Sequence, residues 1–554
     1  MTESDLNIAD RLTISARLVP DRQAVLVPQR RDASGRSVYD QITFEQLDCT
    51  VSQIARGLIR LGIRPGMRLV LMVPPSLEFI ALTFGIFRSG AICTLIDPGM
   101  GRSRIFDCLD EIEPDGFCGI PIVQVIRRIM FRRFRASRVN VCVGRAAGLL
   151  GCTSYSDLLR LGADDSVPLP ETTSTDPAAI IFTSGSTGPP KGVLYEHGMF
   201  DAQVDLIRDR FAIQPGEVDL PGFPLFALFN LAMQVTTVVP EMNPARPAHV
   251  DPVKILTAMQ EQTVTQAFGS PAMWNRIGRH CSEHGIRLPT VRRILSAGAP
   301  VPNHVLQRMT NALPESADIH TPYGATECLP VAAIGGREVL ESTAGPTSQG
   351  AGTCVGYVFE QMTVRIVRIT FDPIASIEDA DELSVGDIGE IIVRGPVATR
   401  EYYRRPDATR LAKIQDGDTF WHRMGDVGYF DEIGRLWFCG RKAHVVFTSV
   451  GPMYSVRCEA IFNQHDHVYR CALVGIGERG RQIPVIVVEP EQGDFPGDAS
   501  EIAVFEQELR ELGALSPLTA EIHRILFRAA LPVDTRHNVK INREQLAVWA
   551  AGRI

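Results

Sequence analysis

The 554-residue sequence predicts an α/β fold, with a large N-terminal domain of layered sheets and helices and a smaller α+β C-terminal domain. Apolar runs typical of buried parallel strands alternate with segments of helical periodicity. The chain is also too long for one ordinary core. The residues that follow Gly440 suffice for a small domain of their own. We therefore expect domains at residues 1–440 and 441–554.

The alternation of helix and strand is clearest near the N-terminus. Thr43 precedes apolar residues at helical spacing and is a suitable N-cap, and Gly62 ends that helix. Apolar runs at residues 68–73 and 91–96 predict strands on either side of a helix over residues 79–87. Further strands are predicted at residues 178–182, 266–269, 293–296 and 436–439, and a charged loop at residues 372–387.

The composition argues against several classes of protein. A formal charge of −8 disfavours a general nucleic-acid binder, because such proteins use clustered lysine and arginine. Twelve cysteines are scattered without a CxxC pair, so we expect neither a zinc site nor a disulfide framework, but reduced thiols in the cytoplasm. No apolar run approaches roughly 18 residues, and the first residues lack signal-peptide features, so we expect no transmembrane segment.

A loop rich in glycine and hydroxyl groups, residues 183–192, follows the apolar run at residues 178–182. Its glycines permit positive φ angles and bring backbone N–H groups close to an anion, while hydroxyls and a lysine add donors and charge. The spacing is not that of a Walker A loop. We predict a phosphate-binding loop rather than the alternative, a polar surface turn. Its candidate residues are Thr183, Ser184, Gly185, Ser186, Thr187, Gly188 and Lys191.

Later stretches of the chain add the other parts of a nucleotide site. Residues 296–300 offer a backbone surface without bulky side chains, which suits a flat heterocycle. Tyr323 supplies an aromatic face, and Glu327 can hold Mg²⁺ on phosphate oxygens. Asp426, expected in a turn, suits two ribose hydroxyls, and Lys540 lies before a predicted helix, where it can reach a developing charge. Each residue alone has a structural explanation, but together they indicate an ATP site.

The order and spacing of these stretches resemble the acyl-adenylate-forming superfamily of acyl-CoA synthetases, luciferases and peptide-synthetase adenylation domains. The matching motifs are TSGSTGPPKG, YGATE, a Gly-Asp pair, GRK and a late lysine, and the resemblance extends from about Thr43 to Arg543. It implies the adenylate-forming fold with a mobile C-terminal domain, and ATP and Mg²⁺ as cofactors.

The resemblance also implies a role for each site residue. Residues 183–191 are expected to bind the β- and γ-phosphates. The others are the adenine wall (Gly298, Ala299, Pro300), the adenine-stacking Tyr323 beside Gly324, the α-phosphate contact Thr326, the Mg²⁺ ligand Glu327, the ribose ligand Asp426, Arg441 beside the interdomain hinge, and Lys540 between carboxylate and α-phosphate. The expected catalytic residues are Thr183, Lys191, Glu327 and Lys540.

Further details resemble the β-lactone synthetases of bacterial long-chain olefin biosynthesis. Ala443 replaces the Asp or Lys of many superfamily members, and residues 223–229 lack the histidine frequent in acyl-CoA synthetases. The matching segments are residues 97–101, 219–224, 350–356 and 534–538. This resemblance implies a long-chain β-hydroxy acid substrate, a 2-alkyl-3-hydroxyalkanoic acid, whose own 3-hydroxyl displaces AMP to form a β-lactone. The alternatives are a long-chain acyl-CoA or acyl-carrier-protein ligase and a non-catalytic scaffold subunit.

Ring closure requires a base for the 3-hydroxyl. Histidine is the side chain that most often fills this role near neutral pH. His197, His422 and His537 are candidates by residue type, and a structural or surface position is the alternative for each.

Residues 121–138 depart from the acidic character of the chain, with six arginines between Arg127 and Arg138 and no acid. A helical wheel places Val123, Ile126, Met130 and Phe134 on one face and Arg128, Arg132 and Arg135 on the other. The segment predicts an amphipathic helix that contacts a membrane surface or a partner enzyme of the same pathway, or that covers an apolar acyl tunnel. The alternative is a solvated surface helix.

Overall fold

The computed structural model describes residues 6–33, 36–145, 147–183, 189–533 and 541–554, and the side chain of Thr183 lies outside that description. Strands and helices alternate through most of the described chain, which confirms the α/β class. Two large sheets form the bulk of the molecule, and a small α+β region follows them.

The strands are distributed along the whole chain. In chain order they are β1 (Gln23–Arg31), β2 (Ser37–Thr43), β3 (Arg68–Met72), β4 (Ile92–Ile96), β5 (Gly116–Gly119), β6 (Val139–Cys142), β7 (Thr153–Ser154), β8 (Pro177–Thr183), β9 (Lys191–Glu196), β10 (Val218–Pro221), β11 (Thr236–Val238), β12 (Gln266–Gly269) and β13 (Arg293–Ser296). They continue with β14 (Asp318–Ala325), β15 (Cys328–Gly335), β16 (Thr353–Val358), β17 (Thr363–Val367), β18 (Gly389–Arg394), β19 (Lys413–Asp416), β20 (Thr419–Phe430), β21 (Leu436–Arg441), β22 (Val446–Thr448), β23 (Gly451–Met453), β24 (Val468–Ile476), β25 (Ile483–Pro490) and β26 (Arg524–Phe527).

The helices cover the sheets and connect their strands. They are α1 (Asp10–Leu18), α2 (Phe44–Arg60), α3 (Leu77–Arg88), α4 (Arg102–Ile112), α5 (Pro121–Ile129), α6 (Tyr155–Leu161), α7 (His197–Arg210), α8 (Ala227–Ala232), α9 (Pro252–Glu261), α10 (Pro271–His284), α11 (Asn303–Ala312), α12 (Gly336–Glu338), α13 (Ala344–Ser348), α14 (Pro406–Ala412), α15 (Ser455–Phe462), α16 (Ala499–Ala514) and α17 (Arg543–Ala551).

The larger sheet has fourteen strands in the order β17-β18-β20-β21-β16-β15-β14-β13-β12-β10-β11-β1-β2, with β19 paired to β20. Its β14-β13-β12-β10-β11-β1 part is parallel, and the rest is antiparallel. The second sheet has the order β7-β6-β5-β3-β4-β8-β9 and is parallel except for the β8–β9 hairpin. The carboxyl ends of parallel strands gather ligand-binding loops in such sheets.

Residues after β21 form a small α+β arrangement around the three-stranded sheet β24-β25-β26. Alternate residues of β25 face opposite sides, as the two-residue period of a strand requires. Ile486 packs with Phe462 of α15 and Leu509 of α16, whereas Val487 packs with Leu546 of α17. Helices therefore cover both faces of this sheet.

The predicted N-terminal helix is confirmed as α2. The Thr43 hydroxyl accepts a hydrogen bond from the Gln46 backbone at 3.2 Å, and the Gln46 side chain accepts one from the Thr43 backbone at 3.1 Å. This reciprocal capping box satisfies N–H groups that the first helical turn leaves unpaired. Gly62 adopts a φ of +100°, the conformation that favours glycine after a helix.

The prediction of one long basic helix over residues 121–138 is wrong. Helix α5 ends at Ile129, and turns lead on to β6. Phe134 is buried, with its ring 5.2 Å from that of Phe117, and so holds the chain against β5. Arg133 is also not free, because its guanidinium pairs with Asp110 of α4. The local pattern could not reveal these contacts with distant segments.

No helix in the described part of the chain is long and apolar enough to span a bilayer. The structure places all twelve cysteines, and each is a free thiol. The charged segment 372–387 connects β17 to β18 and carries only a short 3₁₀ turn, Ile377–Asp379, as the predicted loop implies.

Candidate active site

One cavity of about 2920 Å³ extends along both large sheets and reaches the start of the C-terminal region. Ten of the predicted site residues line it. They are Lys191, Gly298, Ala299, Pro300, Tyr323, Gly324, Thr326, Glu327, Asp426 and Arg441. The structure thus brings together residues that lie far apart in the sequence.

The remaining predicted site residues are not described by the structure. They are Ser184, Gly185, Ser186, Thr187, Gly188 and Lys540, and for Thr183 the backbone alone is described. The strands that carry the predicted phosphate loop are described, however. Thr183 ends β8 and pairs in register with Lys191, which begins β9.

The predicted adenine wall follows β13. Gly298 adopts a φ of +99°, a conformation that side chains rarely allow, and it turns the chain immediately after the strand. Ala297 and residues 298–300 line the cavity with little side-chain bulk. This arrangement leaves the flat backbone surface that a purine ring requires.

Tyr323 of β14, Asp426 of β20 and Arg441 of β21 form one polar cluster. The Tyr323 hydroxyl donates a hydrogen bond of 2.6 Å to Oδ2 of Asp426, and Arg441 Nη1 lies 2.8 Å from Oδ1. Asp426 and Arg441 are also cross-strand partners in β20 and β21. Burial raises the pKa of the Asp426 carboxyl above its usual value, and the Arg441 guanidinium and Tyr323 hydroxyl oppose that shift.

Asp426 lies inside strand β20, so the prediction that it lies in a turn is wrong. The preceding Gly425 has a φ of +66°, and the register between β20 and β21 shifts after Val427. These irregularities allow the strand to remain paired while the carboxylate faces the cavity. The glycine was a turn signal in the sequence, but strand pairing overrides it.

Glu327 lies in the two-residue turn between β14 and β15, which fixes it at the cavity wall. The Tyr402 hydroxyl donates to its Oε1 at 2.7 Å, and the backbone and hydroxyl of Thr399 donate to its carbonyl oxygen. The Tyr195 hydroxyl of β9 donates to the carbonyl oxygen of the neighbouring Thr326. The turn is therefore held from two sides.

Tyr402 also connects Glu327 to the predicted phosphate loop. Lys191 Nζ lies 4.8 Å from the centre of the Tyr402 ring, a cation–π contact. Tyr402 further bridges to Val193 of β9. Burial, and then the Glu327 carboxylate, raise the pKa of the Tyr402 hydroxyl, so it remains a hydrogen-bond donor at neutral pH.

Sequence reasoning missed Tyr402 and also Lys413, which contacts the predicted candidate His422. Lys413 Nζ donates to the Thr399 carbonyl oxygen and lies 3.1 Å from His422 Nδ1. The two residues are cross-strand partners in β19 and β20. Burial lowers the pKa of Lys413 to about 8 and holds that of His422 well below 6.5. No sequence motif marks Lys413, because its pairing with His422 is made only in the folded chain.

The structure separates the three histidine candidates for the ring-closing base. His197 is buried outside the cavity lining, where its Nδ1 accepts a hydrogen bond from the Ile8 backbone at 3.3 Å. His422 lines the cavity, but Lys413 occupies its Nδ1. His537 lies outside the described residues. Two further histidines, His304 and His444, line the cavity and were not predicted.

Glu327 can contribute to a Mg²⁺ site. Within the described ranges no three His, Cys, Asp or Glu residues converge as a metal cage. Mg²⁺ commonly binds through one or two carboxylates plus substrate phosphates, and a carboxylate near Lys191 matches that arrangement. The residues present therefore fit a Mg²⁺ ion shared with a nucleotide.

Comparison with protein-family models decides the assignment, because residues 13–403 match the model described as AMP-binding enzyme. The chain belongs to the AMP-binding enzyme family. Enzymes of this family activate acids with ATP and Mg²⁺, and the protein is an acid-activating ligase of this kind. The cavity that the predicted nucleotide-site residues line agrees with this membership.

Individual relatives of this AMP-binding enzyme can be aligned with most or nearly all of the chain. Olefin beta-lactone synthetase from Stenotrophomonas maltophilia is 47% identical over 555 residues, covering 99% of this chain and 98% of the relative. The enzyme of the same name from Xanthomonas campestris pv. campestris is 47% identical, covering 98% and 97%. A long-chain-fatty-acid–CoA ligase from Mycobacterium tuberculosis is 24% identical over 88% of each chain.

Solved structures of similar fold also cover nearly the whole chain. The amide bond synthetase McbA from Marinactinospora thermotolerans has a TM-score of 0.76 and 22% identity, covering 98% of this chain and 99% of its own. The o-succinylbenzoate CoA synthetase from Bacillus subtilis, solved with its acyl-adenylate, has a TM-score of 0.73 and 18% identity, with 97% of each chain covered. These likenesses confirm the adenylate-forming fold.

Proposed function

We propose that this AMP-binding enzyme is a β-lactone synthetase of olefin biosynthesis that acts on long-chain 2-alkyl-3-hydroxyalkanoic acids. The observation that carries the proposal is the 47% identity to two olefin beta-lactone synthetases over 98 to 99% of the chain. The CoA ligases among the relatives are only 22 to 25% identical. The apolar walls of the cavity support a hydrocarbon-rich acid as substrate.

In the first half-reaction, the substrate carboxylate attacks the α-phosphorus of ATP, a P–O bond forms, and pyrophosphate leaves. Residues 183–188 and Lys191 hold the β- and γ-phosphates, and Thr326 contacts the α-phosphate. Tyr323 and residues 298–300 hold the adenine, while Asp426 and Arg441 hold the ribose. Glu327 would hold a Mg²⁺ ion, which when bound would supply positive charge to the phosphates.

In the second half-reaction, the 3-hydroxyl oxygen of the substrate attacks its own acyl carbon. A C–O bond forms, the bond between the acyl carbon and the AMP oxygen breaks, and the hydroxyl proton passes to a base. The protein contributes by holding the hydroxyl against the carbonyl and by excluding water, which otherwise hydrolyses the acyl-adenylate.

We further propose that residues 441–554 form a lid domain that hinges after Gly440 and brings Lys540 to the reacting carboxylate. Two observations support this boundary. Lys442 Nζ lies 2.7 Å from Oε1 of the buried Glu390, which holds the start of the lid to the main body. Beyond it, residues 446–550 have hydrophobic clusters of their own.

The region around α5 supports peripheral contact with an anionic membrane surface. Ile122, Ile129 and Phe131 expose 57%, 75% and 59% of their surface, which is uncommon for such side chains. Arg132 and Arg135 are exposed beside them. Apolar side chains flanked by arginines are typical of segments that lie in the lipid interface. The free cysteines favour a reducing, cytoplasmic location.

The proposed activity is tested by incubating the purified protein with ATP, Mg²⁺ and a 2-alkyl-3-hydroxy acid. We expect β-lactone, AMP and pyrophosphate in equal amounts without any thiol. A product that forms only after coenzyme A is added identifies an acyl-CoA ligase instead. Absence of both pyrophosphate release and product with any acid identifies a non-catalytic subunit.

A further inference from the structure

The cavity borders two hydrophobic clusters, of which the first belongs to the seven-stranded sheet and the second contains residues of both large sheets. The first lies on the seven-stranded sheet, where Phe117 and Phe182 pack with the side chains of α4 and α5. Phe268 of β12 and Leu295 of β13, in the fourteen-stranded sheet, belong to the second cluster. The same cavity reaches all four of these residues. The cavity is therefore lined by apolar residues of both large sheets.

The first apolar region is enclosed by α4, α5 and the sheet below them. Its wall includes Ile105, Leu109, Val123 and Phe134, and carries no acidic side chain among the described residues of α5. Gln124 anchors α5 from the other side, because its Nε2 donates to the Val141 carbonyl oxygen at 2.9 Å. The region is therefore an apolar pocket, and the helix α5 that forms one of its walls is held in place.

This first region opens to the surface along α5. Ile122, Ile126 and Ile129 line the cavity and are nevertheless 57%, 39% and 75% exposed. Arg127 lines the same opening, and its Nε donates to Gln124 at 2.9 Å. A hydrocarbon chain can therefore extend through this region as far as the protein surface.

The second apolar region lies at the carboxyl ends of β12 and β13. Phe226 stacks on Phe268, with ring centres 3.6 Å apart, and forms one side. Ala272, at the start of α10, and Leu295 line the same cavity. Ser270 caps α10 and Pro271 begins it, so this wall is also rigid.

The two regions meet at the predicted adenylation centre. β8 contributes Phe182 to the first region and leads directly into the phosphate loop. β13 contributes Leu295 to the second region and leads directly into residues 298–300 of the adenine wall. Each apolar region therefore borders a strand that ends at the predicted adenylation centre.

We propose that the two regions each bind one hydrocarbon chain of a two-chain acid, one chain under α5 and the other between Phe226 and Ala272. The inference rests on the proposed function, whose substrate carries one alkyl chain on C2 and a second beyond C3. The cavity of about 2920 Å³, which also contains the predicted nucleotide site, exceeds the roughly 300–1,000 Å³ of ordinary ligand pockets and so leaves room for both chains. Separate pockets also fix the 3-hydroxyl near the acyl carbon, since both chains are then immobilised.

The test uses two isomeric substrates, 2-decyl-3-hydroxybutanoic acid and 3-hydroxy-2-methyltridecanoic acid, which differ only in which position carries the long chain. Ile105→Trp narrows the region under α5, and Ala272→Phe narrows the other. Val123→Phe is a second variant of the first region in case Ile105→Trp does not fold. Ile14→Trp is the control, because Ile14 is 41% exposed on α1 and lies outside the cavity lining.

ATP–pyrophosphate exchange measures adenylation of each isomer, and lactone is measured separately. We expect Ile105→Trp to reduce kcat/KM for one isomer by roughly tenfold or more and to affect the other less than about threefold, with Ala272→Phe showing the opposite preference. The inference is overturned if both variants lose kcat/KM mainly for the same isomer. It is also overturned if variants of normal thermal stability lose kcat/KM equally for both isomers.

The exchange assay separates this inference from the proposed function. The crossed preference without any lactone supports the two-chain cavity and contradicts ring closure. Lactone formation with no crossed preference supports the proposed function and overturns the two-chain cavity.

Discussion

The Tyr323 hydroxyl donates a 2.6 Å hydrogen bond to the Oδ2 atom of Asp426, although 103 residues separate them in the sequence. Arg441 approaches the other carboxylate oxygen at 2.8 Å. The pair joins the β14–β15 hairpin, which carries Glu327, to β20, whose partner strand β21 contains Gly440 of the proposed hinge. If the proposed roles hold, one carboxylate contributes to both nucleotide binding and the position of the lid.

Replacing Asp426 with Asn tests this shared role. The change removes a charged acceptor for ribose hydroxyls and leaves Arg441 without its ion pair, so we expect kcat/KM for ATP to fall about 10- to 100-fold. Asp431→Asn is a matched control, because Asp431 pairs with Arg435 at 2.8 Å and lies outside the cavity lining. An equal loss of ATP use in both variants contradicts the assignment.

The Mg²⁺ assignment rests on Glu327 and its hydrogen bond from Tyr402. We expect Glu327→Gln to raise the Mg²⁺ concentration for half-maximal pyrophosphate release by at least about tenfold, and Tyr402→Phe to raise it less. Magnesium titration of the purified variants measures both shifts. Glu338→Gln is the control, because Glu338 accepts a similar tyrosine hydrogen bond from Tyr357 outside the cavity lining. A Glu327→Gln enzyme with an unchanged Mg²⁺ requirement contradicts the assignment.

Stability should depend on pH through Asp219, a carboxyl buried at the start of the segment that leads to Gly222. Burial raises its pKa to about 7, although Asn230 donates to its Oδ2 at 2.7 Å and Arg293 is nearby. The folded pKa exceeds the unfolded value, so the folded state binds more protons in this range. The free energy of unfolding therefore falls as pH rises from about 4 to 7. Asparagine does not titrate.

The Asp219→Asn variant should therefore gain stability relative to the parent as pH rises. We expect the difference in unfolding free energy to grow by about 2 to 3 kcal/mol between pH 5 and pH 8. Denaturant unfolding at both pH values measures this. A difference independent of pH shows that Asp219 is ionised in the folded protein throughout this range.

Much of the fold was predictable from the sequence because burial and capping leave local signals. Thr43 and the apolar run before Thr183 predicted their elements correctly. Asp426 was predicted as a site residue but in the wrong local structure, since Gly425 indicates a turn unless pairing with β21 is known. Tyr402 and Lys413 gave no motif, because their roles depend on contacts with Glu327 and Thr399 made only in the folded chain.

Membrane contact depends on the exposed arginines after α5. Replacing Arg132, Arg135 and Arg138 with Gln should reduce co-sedimentation with anionic vesicles by at least about tenfold, since each basic residue contributes about 1 kcal/mol. Arg133 is kept because it pairs with Asp110. Adenylation of a short substrate should not change. The same three-charge change at Arg160, Arg368 and Arg410, which are 70 to 80% exposed elsewhere, is the control. Unchanged co-sedimentation of the first variant refutes the membrane contact.

Adenylation of the substrate carboxylate is tested most directly with a substrate whose carboxyl group carries ¹⁸O in both positions. If the carboxylate attacks ATP and the 3-hydroxyl then displaces AMP, one ¹⁸O appears in the phosphate of AMP and one remains in the lactone carbonyl. Mass spectrometry of the two products gives the answer. AMP that contains no ¹⁸O, together with a lactone that retains both labels, contradicts carboxyl adenylation and with it the central claim.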